Sequence, residues 1–259
     1  MTVSPSTTIP TTPDVDYCSE TVTGVNWDAL LNNNCTNLSD YNLFTDPADS
    51  TNNPTEGGIP YDLSTALFTD YATKYRFIFV PVGETVTYSD DEVMDFPIGS
   101  VLVKTFALPD NTANRAGNET VIETRLLVHR EAGWIALPYL WDDTNDAKFI
   151  VTGKAVPVSI THDGSPLTFN YDVPKATACN ECHAIVPMLQ DENDIRPSIF
   201  MPIGPKARFL NNNYDYPSGT ENQLTYWEDA GILTGAPILK SSIDTAAVFH
   251  DADTIVATK

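Results

Sequence analysis

Between Tyr75 and Val173 the chain repeats one pattern: short apolar or alternating runs, each closed by turn-forming residues. The runs at 75–80, 101–108, 121–129, 133–141, 148–151, 155–160 and 167–173 read as strands, rich in Val, Ile, Leu and aromatic residues. Pro109-Asp110-Asn111, Ala132-Gly133 and Asp163-Gly164-Ser165 supply the breaks. Alternation is clearest at 121–128, where Ile122, Thr124, Leu126 and Val128 fall on one face and Glu123 and Arg125 on the other. Strands at this spacing predict a mainly β chain built on an antiparallel β-sandwich or barrel.

The flanks differ in texture. Residues 1–16 are Thr, Ser and Pro with little else, the composition of an extended tail. Residues 17–173 form the expected β-rich domain with its N-terminal segment. Within that segment Asn26 is predicted to cap a helix at 27–31, and Ser39 to cap a turn leading to Phe44. After Val173 the sequence turns irregular and rich in Asn and Pro. There Thr220-Glu221-Asn222-Gln223 reads as a capping box for a helix through Ala230, and Gly231 sits where a helix would stop. Residues 174–240 are therefore expected to form a small helix-and-loop module, with 241–259 as a C-terminal tail.

Charge narrows the partners. Fourteen basic against 35 acidic residues give a net charge of -21. Such a surface repels nucleic acid and anionic lipid, so no nucleic-acid partner is expected. No run approaches the ~20 apolar residues of a transmembrane helix.

The four cysteines fall into two pairs. Cys179-Asn180-Glu181-Cys182-His183 is a c-type haem attachment signature: two thiols add to the two porphyrin vinyl groups, and the adjacent His reaches the iron. One covalent haem c is the expected cofactor, with His183 as its proximal metal ligand. Zinc needs four ligands, and no second Cys or His cluster lies nearby in sequence. A redox dithiol would need a βαβ context, which the pattern lacks. For the sixth iron position Met201, in Phe200-Met201-Pro202, leads; His129 is the main alternative, followed by His162, His250, Met188 or an open site. Lys206 and Arg208 are candidates to pair with the haem propionates, since basic residues are scarce. Cys18 and Cys35 lie in a polar segment and are expected to form a disulfide in an oxidising compartment. Haem attachment of this kind normally follows export, so a periplasmic or extracellular location is expected. A leader is expected to lie outside this numbering, because Met1-Thr2-Val3-Ser4-Pro5-Ser6 has neither a basic region nor an apolar run.

Weaker patterns are read blandly. The stretch from Trp141 to Asp146 lacks the Gly and Glu of a calcium loop and is taken as a solvated turn. Trp134, Tyr139 and Trp141 are taken as core rather than as a carbohydrate platform. The few apolar residues of the tail, Val3, Ile9 and Val15, cannot build a core. Residues 1–16 are thus expected to lie along a neighbouring copy, giving a homo-oligomer or an open filament.

Several segments in order resemble a bacterial family of exported c-type cytochromes, often di-haem. They are Ile59-Pro60-Tyr61-Asp62-Leu63, Leu67-Phe68-Thr69-Asp70-Tyr71-Ala72, Phe96-Pro97-Ile98-Gly99-Ser100-Val101-Leu102-Val103-Lys104-Thr105-Phe106 and Glu123-Thr124-Arg125-Leu126-Leu127. Gly133-Trp134-Ile135-Ala136-Leu137-Pro138-Tyr139-Leu140-Trp141, Pro202-Ile203-Gly204-Pro205-Lys206-Ala207-Arg208 and Asn222-Gln223-Leu224 continue the likeness over most of residues 59–235. Family members commonly carry a second Cys-x-x-Cys-His, whereas this sequence has one; the resemblance then implies a mono-haem electron carrier working with redox partner proteins. It carries over the proximal ligation and not the distal ligand. Ser198-Ile199-Phe200-Met201 departs from the family as extra sequence. The competing expectation is a β binding or structural module in which haem is secondary.

Overall fold

Strand-forming residues dominate the middle of the chain, and the computed structural model, which describes residues 15–65, 67–115, 117–142, 145–185 and 199–247, is mainly β and antiparallel. Its centre is a six-stranded antiparallel sheet. The strands are β1 (Gly58–Pro60), β2 (Thr73–Phe79), β4 (Val101–Pro109), β5 (Glu119–Arg130), β6 (Gly133–Trp141) and β7 (Ala147–Phe149), in the order β1-β2-β4-β5-β6-β7. The short β3 (Val86–Thr87) stands outside it and pairs in parallel with β14 (Leu233–Thr234). Among the described residues β1 and β7 stand at the two edges of this sheet. The second layer expected of a sandwich is reduced to one hairpin, β8 (Lys154–His162) and β9 (Ser165–Val173). Asp163 and Gly164 turn that hairpin with φ of 49° and 74°, as a two-residue turn between right-twisted strands requires.

The two faces of the sheet are covered by different parts of the chain. Phe77, Phe79, Val101, Val103, Leu126, Val128, Leu137 and Tyr139 face the N-terminal segment, meeting Leu30, Leu38, Tyr41 and Leu43. There α1 (Trp27–Asn32) begins where Asn26 Oδ1 accepts from Ala29 N at 3.1 Å, as the sequence predicts. The following turn, Leu38–Tyr41, is instead preceded by Asn37, whose N–H donates to Asp40 Oδ2 at 3.2 Å. Ser39 does not cap it; its hydroxyl donates to Asp146 Oδ2 at 2.6 Å. Cys18 and Cys35 are disulfide-bonded, with Cα atoms 5.5 Å apart. Closing a loop of this size stabilises by ~3 kcal/mol on the chain-entropy account.

On the opposite face Phe106, Leu108, Ile122 and Leu140 meet Ile160, Tyr171 and Val173 of the hairpin. Ile122 departs from the simple alternation. The β4–β5 register shifts between Phe106 and Ala107, leaving Ile122 without a partner in the ladder and turning it to this face. The rest of the face is covered by the C-terminal segment. Ala207, Leu210, Leu224, Trp227 and Leu233 pack with Ile78, Val80 and Leu102 of the sheet in one core. The described residues from Met201 to Leu233 thus share one core with the sheet. The 174–240 stretch carries α2 (Asn180–His183), β10 (Ala184–Ile185), β11 (Ile199–Phe200), α3 (Ala207–Leu210), β12 (Asn213–Tyr216), β13 (Gly219–Asn222) and α4 (Gln223–Asp229). The expected capping box is absent: Thr220 and Glu221 belong to β13, and Asn222 Oδ1 caps α4 by accepting from Leu224 N at 3.0 Å. Gln223 is fully buried and ties α4 to the chain before β2, its Oε1 accepting from Asp62 N at 2.8 Å.

Candidate haem-binding site

The chain leaves β9 at Val173 and enters a 3-10 turn, Ala176–Cys179, that runs directly into α2. Ala176 N donates to Val151 O at 3.0 Å, pinning the start of the turn. Gly153, at φ 74°, lets the backbone pass close by. A Cβ there would lie 2.7 Å from both Val173 O and Lys175 N.

Cys179 and Cys182, three residues apart on this helical turn, are both free thiols. Cys179 is half-buried and Cys182 exposed. Burial pushes the Cys179 thiol pKa up, so it rests protonated at neutral pH. His183 is held on two sides. Its carbonyl accepts from Met201 N at 3.0 Å, and its ring packs against Phe200 with centroids 5.3 Å apart. The pairing of Ala184 with Phe200 in the β10–β11 ladder brings these residues together. His183 Nδ1 lies 2.9 Å from Met201 O. A carbonyl only accepts, so Nδ1 carries the proton and Nε2 presents its lone pair. Burial lowers the His183 pKa; the Met201 carbonyl works against that, and the nearby charges of Lys104 and Arg125 add to it. The imidazole is thereby kept in the neutral form that binds metals.

Other residues singled out by the sequence are placed as follows. The Met201 backbone lies against His183, and its side chain packs on the core that contains Trp227. His129 on β5 has Nδ1 2.8 Å from Phe96 O and stacks on Trp134 at 4.7 Å, so it too presents Nε2. His162 sits at the hairpin turn, with Nδ1 2.9 Å from Thr112 Oγ1. The whole of β9 separates it from the Cys179–His183 segment, ~25–30 Å at strand rise. His250 and Met188 lie outside the described residues, as do residues 1–14 of the tail and residues 248–259. Lys206 Nζ lies 2.8 Å from Glu92 Oε2, and Arg208 Nη1 donates to Asp91 O at 2.7 Å, so both are engaged by the acidic 90–92 loop. Tyr139 and Trp141 lie on the N-terminal face, where Trp141 Nε1 donates to Thr124 Oγ1 at 2.9 Å. Trp134 lies on the other face, so the three do not form one platform. Asp146 accepts from Ser39 and from Ala147 N at 2.8 Å, a structural use of that acid.

Sequence reasoning missed the charges beside the motif. Arg76, Lys104 and Arg125 stand directly opposite one another on β2, β4 and β5. Arg76 pairs with Asp62. Arg125 Nε donates to Glu123 Oε2 at 2.9 Å, and Tyr171 OH donates to Glu123 Oε1 at 2.7 Å. Glu123 is fully buried. The Lys104 Nζ and the Arg125 guanidinium lie 4.8 and 4.5 Å from the centroid of the Phe106 ring. Burial, then the neighbouring Arg76 and Arg125 charges, pull the Lys104 pKa down to about 7.

No family model, curated protein or solved structure matches the chain. Among the described residues no group of three or more His, Cys, Asp or Glu side chains is placed to hold a metal ion, and no helix is long and apolar enough to cross a membrane. A donor set of two free thiols on one helical turn and a histidine with a fixed tautomer fits covalent haem, which needs a single protein nitrogen on the iron beneath two thioethers.

Proposed function

We propose that the chain is an exported electron-transfer protein of the c-type cytochrome kind, holding one haem through Cys179 and Cys182 with His183 Nε2 on the iron. The observation that carries this reading is the hydrogen bond from His183 Nδ1 to Met201 O inside the Cys-x-x-Cys-His turn. It does for this histidine what outer-shell partners do for metal-bound imidazoles generally: it sets the tautomer, orients the ring and strengthens the free nitrogen as a donor. A bound haem supplies a one-electron iron couple. The residues of the chain orient and tune it. Met201 O lies behind the imidazole, so its thioether starts on the proximal side and is directed into the protein core. That argues against the Met201 thioether as a further donor to the iron. Export agrees with the Cys18–Cys35 bond, since such bonds persist in oxidising compartments. A surface of charge -21 favours a cationic redox partner. An optical redox titration tests the reading. A reversible one-electron change in the visible spectrum, lost in His183→Ala or shifted to a five-coordinate form, is the expected result. A purified protein without a redox-active chromophore overturns it.

A further inference from the structure

Three of the chain's 14 basic residues form a row across adjacent strands, Arg76–Lys104–Arg125. Like charges directly opposite in a sheet repel one another. In a chain this acidic, composition alone does not produce such a row. Arg76 and Arg125 are each answered by a carboxylate, Asp62 and Glu123. Lys104 has no carboxylate or carbonyl partner among the described residues, only the Phe106 ring. The row therefore holds a partly buried cation with no carboxylate in direct contact among the described residues.

Its direction relative to the haem motif is informative. The turn Ala176–Cys179 packs on β6. Arg125 is one strand away on β5, Lys104 two strands away on β4 and Arg76 three strands away on β2. The height along the strands agrees: Ala176 N donates to Val151 O, the adjacent Ile150 N donates to Pro138 O, and Pro138 stands directly opposite Arg125. Neighbouring strands lie ~4.8 Å apart, so the row extends ~10 Å from β5. That is comparable to the breadth of a porphyrin. A haem tethered by thioethers at its vinyl edge has its iron over the histidine and carries two carboxylates on the side opposite the vinyl groups. The cation row runs away from the turn in the same sense, through Arg125 to Lys104 and Arg76.

We propose that Lys104, flanked by Arg76, binds a propionate carboxylate of the haem held by Cys179 and Cys182. The inference rests on the haem reading of that motif. It assigns to the sheet the role first expected of Lys206 and Arg208, whose charged groups are engaged by Glu92 and Asp91. An anion at this place also answers the repulsion within the row.

The test is potentiometric titration of the haem-loaded protein across the neutral pH range, preceded by haem staining of a denaturing gel. Lys104→Met is expected to lower the reduction potential, because losing a nearby positive charge favours the ferric state. It is also expected to move the propionate-linked step in the pH profile upward. Lys104→Arg is expected to keep both near the parent, and Lys206→Met to change neither. If Lys104→Met fails to load haem, Lys104→Gln carries the same comparison. Haem-loaded Lys104→Met or Lys104→Gln protein with the parent's potential and pH profile overturns the inference and leaves the cytochrome reading standing. So does a shift found in Lys206→Met in their place. A gel without covalent haem overturns both, and the stain distinguishes the two failures.

Discussion

Replacing Glu123 by Gln tests the buried charges on which the site rests. The Glu123 side chain is 0% exposed and the Arg125 side chain 27%. The carboxylate is the anion beside a row of three cations and also accepts from Tyr171 OH. Gln keeps the shape and one acceptor for Tyr171, and removes the charge. Breaking a buried pair from one side costs ~3–5 kcal/mol. Water reaching the partly exposed Arg125 relieves some of this, leaving ~2–3 kcal/mol. For a chain of this size each kcal/mol lowers Tm by ~2–4 °C, so a fall of roughly 5–10 °C is expected in a calorimetric scan. Converting Arg125 to Met in the same chain should restore part of the loss, because the unpaired guanidinium is then gone. A Glu123→Gln protein melting within ~2 °C of the parent would refute the reasoning.

Three further outcomes are expected. Reduction of the Cys18–Cys35 bond should add two hydrogens to the intact mass and lower stability by ~3 kcal/mol in urea unfolding; an unchanged midpoint would mean that packing alone holds the segment. In haem-free Cys182→Ala protein, Lys104 has a folded pKa of about 7 against an ordinary 10.5. The unfolded chain therefore binds the extra proton between those values, and stability rises with pH through that window and is flat below it. The melting difference between this protein and its Lys104→Met version should grow in favour of the lysine from about pH 7 upward, and a difference independent of pH would contradict the burial argument. Deleting residues 1–16 should reduce the mass seen by light scattering to that of a single chain if the tail joins neighbouring copies, and an unchanged assembly state would rule that role out.

Local rules made some elements legible and long-range contacts hid others. The strand at Gly133–Trp141 coincides with the expected run, and Asn26 caps α1, because both depend on residues adjacent in sequence. Ser39 and Thr220 carry the same kind of local signal and do not act on it. Asp146, 107 residues away, takes the Ser39 hydroxyl, and Gln223 reaches back 161 residues to Asp62. The division into a six-stranded sheet and a separate β8–β9 hairpin was not legible, since nothing in those two runs says that they pair with each other and not with the central sheet. The Cys179–His183 segment stood out in the sequence, because its spacing is local. The Met201 carbonyl and the Arg76–Lys104–Arg125 row did not. The first depends on the β10–β11 ladder and the second on the register of three strands.

Haem staining of a denaturing gel, after acid-acetone extraction, tests the central claim most directly. The account predicts a coloured band at the mass of the 28.4 kDa chain that survives extraction and is greatly weakened in Cys182→Ala. A colourless band from protein matured in a host able to attach haem c, or colour fully removed by extraction, would contradict it.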